Sequence, residues 1–384
     1  MKAWPLVKLG DLLEQIDRME RVNPDASYHL LGVRLEGNGP FIRETVTGTE
    51  TSAGRLNQIK SGDFIYSRLF AWRGAFGVIT AEMDGCFVSN EFPIFRTNQE
   101  RLEVGYLARW FQLPSVWRKV EENCTGSTPT TRNRFKEQFF FELEIPLPPL
   151  AEQQAIVARL DALAEKTRQL EAHLDAVERD AEHLLALRFR DAIAGAPLRP
   201  MAEIAPLVRR EQSIDLNGSY PELGIRSFGK GTFHKPPLSG GDVGTKRLYR
   251  IEPGDLLFSN VFAWEGAIAI AQPDDVGRFG SHRFITCQAN AELTTAEFLR
   301  YYFLTDDGML KIGEASPGGA GRNRTLGLEK LMAIDVPTPP LAAQQTFDRL
   351  RSEITALKAK HTAIREANAA LLPATLERVF TGEH

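Results

Sequence analysis

Residues 145–163 read IPLPPLAEQQAIVARLDAL, and residues 336–354 read VPTPPLAAQQTFDRLRSEI. In each string clustered prolines stop an extended stretch, because proline has no amide to give a ladder and fixes its own φ. A leucine and a glutamine pair follow. In the first string, apolar residues then recur at alternating spacings of four and three: Ile156, Leu160, Leu163, Thr167, Leu170, Leu174, Val177, Ala181 and Leu184. The second string continues in the same way through Phe347, Leu350, Ile354, Leu357, His361, Ile364, Asn368 and Leu371. Each is a heptad seam with charged residues on the other faces. The spacing predicts a first helix from Ala151 to Ile193, roughly 64 Å long at ~1.5 Å per residue, ended by Gly195 and Pro197. In the second helix Pro373 predicts a kink or an end. His361 and Asn368 trade stability for a fixed register.

The two strings belong to a longer repeat. A shift of 192 positions lays Tyr28 on Tyr220, Gly62-Asp63 on Gly254-Asp255, and Phe70-Ala71-Trp72 on Phe262-Ala263-Trp264. With a small drift, Arg132-Asn133-Arg134 falls on Arg322-Asn323-Arg324. The period is half the chain, so this is a tandem duplication rather than a solenoid. The part of each copy before the prolines has short aromatic and β-branched runs punctuated by glycine, as antiparallel strands do. VGYLARWFQLPSVWRKV and AEFLRYYFLTDDGMLKIG fit helices. The expected fold is α+β: two duplicated mixed α/β domains, at 1–145 and 197–336. Each precedes a long helix, at 146–196 and 337–384. A seam alone also fits a homodimer zipper or a helix packed on its own domain. Two seams in one chain favour pairing with each other as an antiparallel coiled coil, since equivalent domains precede equivalent helices.

Composition narrows the class. With 43% hydrophobic residues the chain can build real cores. A net charge of −4 excludes a uniformly basic nucleic-acid binder but not local basic faces. No apolar run reaches the ~18–20 residues of a membrane span, and the opening MKAWPLVKLGDLLEQ has no signal-peptide pattern. Cys86, Cys124 and Cys287 stand far apart, which argues against a disulfide framework or a zinc site. The expected location is the cytoplasm, with no membrane and no metal.

No catalytic signature is visible: no glycine-rich cofactor loop after a strand, no HExxH and no GxSxG. Residues 224–230 match GxxxxGK of a phosphate loop. The next residue is Gly231 rather than Ser or Thr, and the first copy has Asn38 in place of the lysine, so a glycine-rich turn is expected. Basic residues do cluster locally. Arg55, Lys60, Arg68 and Arg73 surround a single acid, Asp63. Arg226, Lys230, Lys235, Lys246, Arg247 and Arg250 lie in a stretch whose one acid is Asp242. Such patches suit phosphate binding or a solvated loop face. The polar loops ending in Arg132, Asn133 and Arg134, with Thr130 before them, and in Arg322, Asn323 and Arg324 fit either of two roles. They could contact phosphates and base edges, or close the domain by hydrogen bonding.

Together WPLVKLGDLLEQI, SGDFIYSRL, PGDLLFSNV, GSTPTTRNRF and the two proline–glutamine–helix strings resemble the specificity subunit of bacterial type I restriction–modification systems. The resemblance covers nearly the whole chain. One departure is Ala343 where the first copy has Glu152. It implies two target-recognition domains that read a bipartite, asymmetric site in double-stranded DNA. It also implies two modification subunits that methylate adenine with S-adenosylmethionine, and restriction subunits that cut with ATP and Mg. No catalytic residue and no cofactor would then belong to this chain. The rival readings are a stand-alone DNA-modifying enzyme and a coiled-coil scaffold.

Overall fold

The computed structural model describes residues 4–124, 134–318 and 324–381. The chain divides into two compact units, one of residues 1–174 with 362–384 and the other of residues 175–361. Each unit holds one globular domain and one half of each long helix.

In the first unit the opening strand Leu6–Lys8 pairs antiparallel with Glu144–Pro146, immediately before the proline string. A four-stranded antiparallel sheet joins Leu13–Ile16, Ile94–Thr97, Phe64–Tyr66 and Phe76–Val78 in that spatial order. A five-stranded sheet runs Met19–Arg21, Arg55–Gln58, Phe87–Val88, Ser27–Val33, Pro40–Thr47. Its one parallel contact is Leu30 with Phe87. The expected helix over VGYLARWFQLPSVWRKV is two helices, Val104–Trp110 and Pro114–Glu122. The break falls before Pro114, which suits the first turn of a new helix but not the interior of an old one. Phe64, Tyr66, Phe95, Phe111 and Phe140 fill the core.

The second unit repeats the plan. Leu198–Pro200 pairs with Asp335–Pro337. A three-stranded sheet and a five-stranded sheet follow, the latter again with one parallel contact, Glu222 with Phe279. AEFLRYYFLTDDGMLKIG also forms two helices, Ala296–Phe303 and Asp306–Glu314. Both Gly-Asp turns have the same anatomy. Gly62 at φ 85° and Gly254 at φ 88° take the left-handed conformation that a type II turn needs. The following aspartate turns inward. Asp63, almost fully buried, accepts two bonds from the Arg18 guanidinium at 2.5 and 3.1 Å and one from the Lys60 amide at 2.7 Å. Asp255 does the same with Arg210 at 2.7 and 3.1 Å and with the Glu252 amide at 2.8 Å.

The long helices run Leu150–Ile193 and Leu341–Thr381. Their first residues are locked by buried glutamines. The Gln153 amide donates to the carbonyls of Arg101 and Pro148, and its oxygen accepts from the Glu103 amide. Gln344 donates to Leu293 and Pro339 and accepts from Thr294 and Thr295.

In each unit the two helix halves run antiparallel. In the first, Arg365 donates to Glu171 at 2.5 Å, and Asn368 donates to Glu171 at 2.8 Å and to the Thr167 carbonyl at 3.1 Å. Leu160 and Leu376 join one core. In the second, His361 meets Glu178 at 2.9 Å and Lys358 pairs with Glu182. Leu185, Phe189, Phe347 and Ile354 join the other core.

Two expectations need correction. The seam slips by one residue in the later half of each helix: Leu184, Ile364 and Leu371 are exposed, and Leu185, Arg365 and Leu372 turn inward instead. A helix with 3.6 residues per turn drifts ~20° per heptad from a strict seven-residue pattern. These halves pack on a domain as well as on a helix. Pro373 does not end the second helix, which continues to Thr381. Losing one helical bond to proline costs about 3 kcal/mol. Leu372, Leu376 and Phe380 pack into the first domain's core around it, and each such side chain contributes about 1.5–3 kcal/mol when fully buried.

Candidate nucleic-acid interface

The apparent phosphate loop is a hairpin turn. Strand Ser219–Ile225 leads through it into strand Thr232–Ser239, so no helix N-terminus follows to receive a phosphate. The turn is pinned: the Phe228 and Gly229 amides donate to the Glu265 and Gly266 carbonyls at 2.8 Å. Arg300 donates to the Gly229 carbonyl at 2.6 Å. Phe228 is held at φ 60°, as is Glu36 at the matching place in the first domain. The Phe228 ring is 75% exposed, with Lys230 Nζ 5.8 Å from its centroid.

In the first domain Arg55, Lys60 and Arg73 are exposed. Arg73 lies 5.9 Å from the Trp72 ring. Arg68 is different. Its guanidinium bonds Glu137 at 2.7 Å and the Asn90 carbonyl, and its own carbonyl accepts from the Phe135 amide. It ties the segment from Arg134 to Glu137 to the sheet, so its charge is spent inside the fold. Arg134 pairs with Glu91 while staying half exposed. Arg21, passed over in the sequence, stands directly opposite Arg55 across the strand ladder. Only the register reveals it.

In the second domain Lys230 and Lys246 are exposed and Lys235 is half-buried. Arg247 lies 3.9 Å from Glu211, and Arg250 lies 3.5 Å from Glu252. Arg226 bonds the Thr232 carbonyl and covers the Phe233 ring at 5.1 Å. His234 meets buried Asp275 at 2.9 Å. Arg324 is exposed, 5.5 Å from the Trp264 ring. Thr130, Arg132, Asn133, Arg322 and Asn323 lie outside the described residues. Among the described residues no group of three or more His, Cys, Asp or Glu is placed to hold a metal. No helix among them is long and apolar enough to cross a membrane. What the surface offers is exposed cations beside aromatic rings, a chemistry suited to phosphates and stacked bases.

Residues 1–179 match the family model described as "Type I restriction modification DNA specificity domain". Over those residues the chain is similar to a type I specificity domain. The second half repeats its plan strand for strand in the paired strands around the proline string and in the five-stranded sheet. Two solved structures share this fold over 99–100% of the chain. One is the HsdS subunit from Thermoanaerobacter tengcongensis, at 19% identity and TM-score 0.69, covering 100% of this chain and 98% of that one. The other comes from work on complex assembly and conformational transition of the type I R-M system, at 19% identity and TM-score 0.66, covering 99% and 98%. No curated protein matches the chain.

Proposed function

We propose that the chain is the DNA sequence-recognition subunit of a type I restriction–modification complex and reads a bipartite, asymmetric site. One observation carries the reading: two domains of one plan hold different residues at equivalent places. The strained hairpin tips carry Glu36 in one domain and Phe228 in the other. Asn38 is answered by Lys230, Arg68 by Asn260, and Arg73 by Glu265. A duplicated catalytic site would keep its reacting groups in both copies. A pair of readers for two different half-sites must differ. Each mismatched base pair costs a reader ~1–3 kcal/mol, so two separated clusters multiply specificity.

In this reading the chain carries no catalysis. Two modification subunits supply S-adenosylmethionine and methylate an adenine that must leave the duplex to reach their active site. Restriction subunits add ATP- and Mg-dependent cleavage. The complex works in the cytoplasm, where the DNA is. The test is reconstitution. The purified chain with S-adenosylmethionine and DNA should transfer no methyl groups, and adding its modification subunit should start transfer. Exchanging residues 1–145 for another specificity domain should change one half of the methylated motif and leave the other. Methyl transfer by the chain alone, or a change in both halves, would refute the proposal.

A further inference from the structure

In the first domain's five-stranded sheet Arg21 and Arg55 are register partners at the end of the ladder between Met19–Arg21 and Arg55–Gln58. Both are exposed. Residues directly opposed in an antiparallel pair share a face with Cβ atoms about 4.5–5.5 Å apart, where like charges repel. Among the described residues neither arginine has a salt-bridge partner. The same fold neutralises other arginines of this domain: Arg18 with Asp63, Arg68 with Glu137, Arg134 with Glu91.

The second domain lacks the feature. There Glu211 faces Tyr249 and Gln212 faces Leu248. Next along are Ser213, in the place of Arg21, and Arg247, in the place of Arg55. Arg247 also lies 3.9 Å from Glu211. The opposed pair therefore belongs to the first domain alone.

We infer that Arg21 and Arg55 form a two-guanidinium clamp for one phosphate of the DNA backbone. A phosphodiester has two free oxygens and one negative charge. Two planar forks rising from one sheet face can each take an oxygen. The bound anion also relieves the repulsion that the free protein carries. Phosphate contacts position a protein without reading sequence, so the clamp would set the first domain's register on its half-site. The inference rests on the DNA-recognition reading.

The test uses the full chain, a random-sequence duplex of about 30 base pairs, and fluorescence anisotropy between about 50 and 200 mM salt. The melting midpoint of each free variant is measured alongside. Arg21→Ser, which installs the second domain's residue, and Arg55→Ser should each make the log-affinity versus log-salt slope shallower by about one. Neither should lower the melting midpoint. Arg21→Glu should raise the midpoint and shift the slope by about two, because Arg55 then pairs with the introduced carboxylate. Arg43→Ser, whose guanidinium already pairs with Glu44, should leave the slope alone. An unchanged slope in both serine variants would overturn the clamp. A lowered midpoint in Arg21→Ser would overturn it too, by making the pair structural. A wild-type chain without salt-dependent DNA binding would instead refute the DNA reading itself.

Discussion

Gln153 donates a side-chain hydrogen bond to the carbonyl of Pro148 at 2.9 Å, across the joint between domain and helix. Gln344 does the same to Pro339 at 2.8 Å. Both glutamines are fully buried. The proline–glutamine string is thus a joint: the helix amides take the carbonyl of the second proline of each Pro-Pro pair, and the glutamine side chain takes that of the first while gripping a neighbouring loop.

Cutting the joint should be costly. Gln153→Ala or Gln344→Ala leaves buried carbonyls and an amide unpaired, at ~1–3 kcal/mol each for the stranded groups. Glutamate should do worse than alanine, because a carboxylate would face two carbonyl oxygens. Urea denaturation followed by circular dichroism checks both.

The Arg18–Asp63 and Arg210–Asp255 pairs hold the Gly-Asp turns to the residue just before the first strand of each five-stranded sheet. Hydrogen bonding to Asp255 keeps the Arg210 guanidinium firmly protonated. Removing one partner strands a buried charge, so Arg210→Met or Arg18→Met should destabilise its own domain by about 3–5 kcal/mol. The double variant Arg210→Met with Asp255→Leu should recover part of that loss. Thermal melts of the single and double variants give the comparison.

These pairs also mark the limit of what was legible in the sequence. The duplication could be read because the Gly-Asp turns and the Phe-Ala-Trp strings impose backbone geometry locally. The long helices could be read because a seam repeats many times. The seam's one-residue slip could not, since periods of 3.5 and 3.6 diverge only over several turns. Arg68 looked like a free cation because Glu137, its partner, stands 69 residues away. The acids that meet Arg134 and His234 also stand far off, 43 and 41 residues away, and Glu211 lies well upstream of Arg247. Counting nearby acids along a sequence misses those that folding delivers. Arg21 was invisible until a register placed it.

Asp348 gives a pH prediction. Burial raises its carboxyl above the usual aspartate range, and the bond from Thr295 pulls it back only part-way. The folded state then holds its proton more tightly than the unfolded chain does. Stability should therefore fall as pH rises from the ordinary aspartate value, ~3.9, to the raised folded value. Asp348→Asn should keep the Thr295 bond, remove that pH dependence and raise the melting midpoint at pH 7. A melt series from pH 4 to pH 8 (about the range of interest) tests the sign.

The cysteines should resist chemistry. Burial pushes the Cys287 thiol up to about 12 and the Cys124 thiol up to about 11. At pH 8 both are almost wholly protonated, and the thiolate is the reactive form. Ellman's reagent should label neither at an appreciable rate in the native chain, and should label all three cysteines after unfolding in guanidinium.

Each compact unit is assembled from segments made at different times. The first unit needs residues 362–381, yet all of residues 175–361 leave the ribosome before them. At ~5–20 residues per second, that is a wait of roughly 10–40 s. Through that interval Leu160 and the side of the first core that Leu372, Leu376 and Phe380 cover have nothing to close on. The nascent chain must stay soluble with that unit unfinished, so a stop in translation before the second helix damages the domain made first. Chaperone demand should follow the second helix rather than either domain.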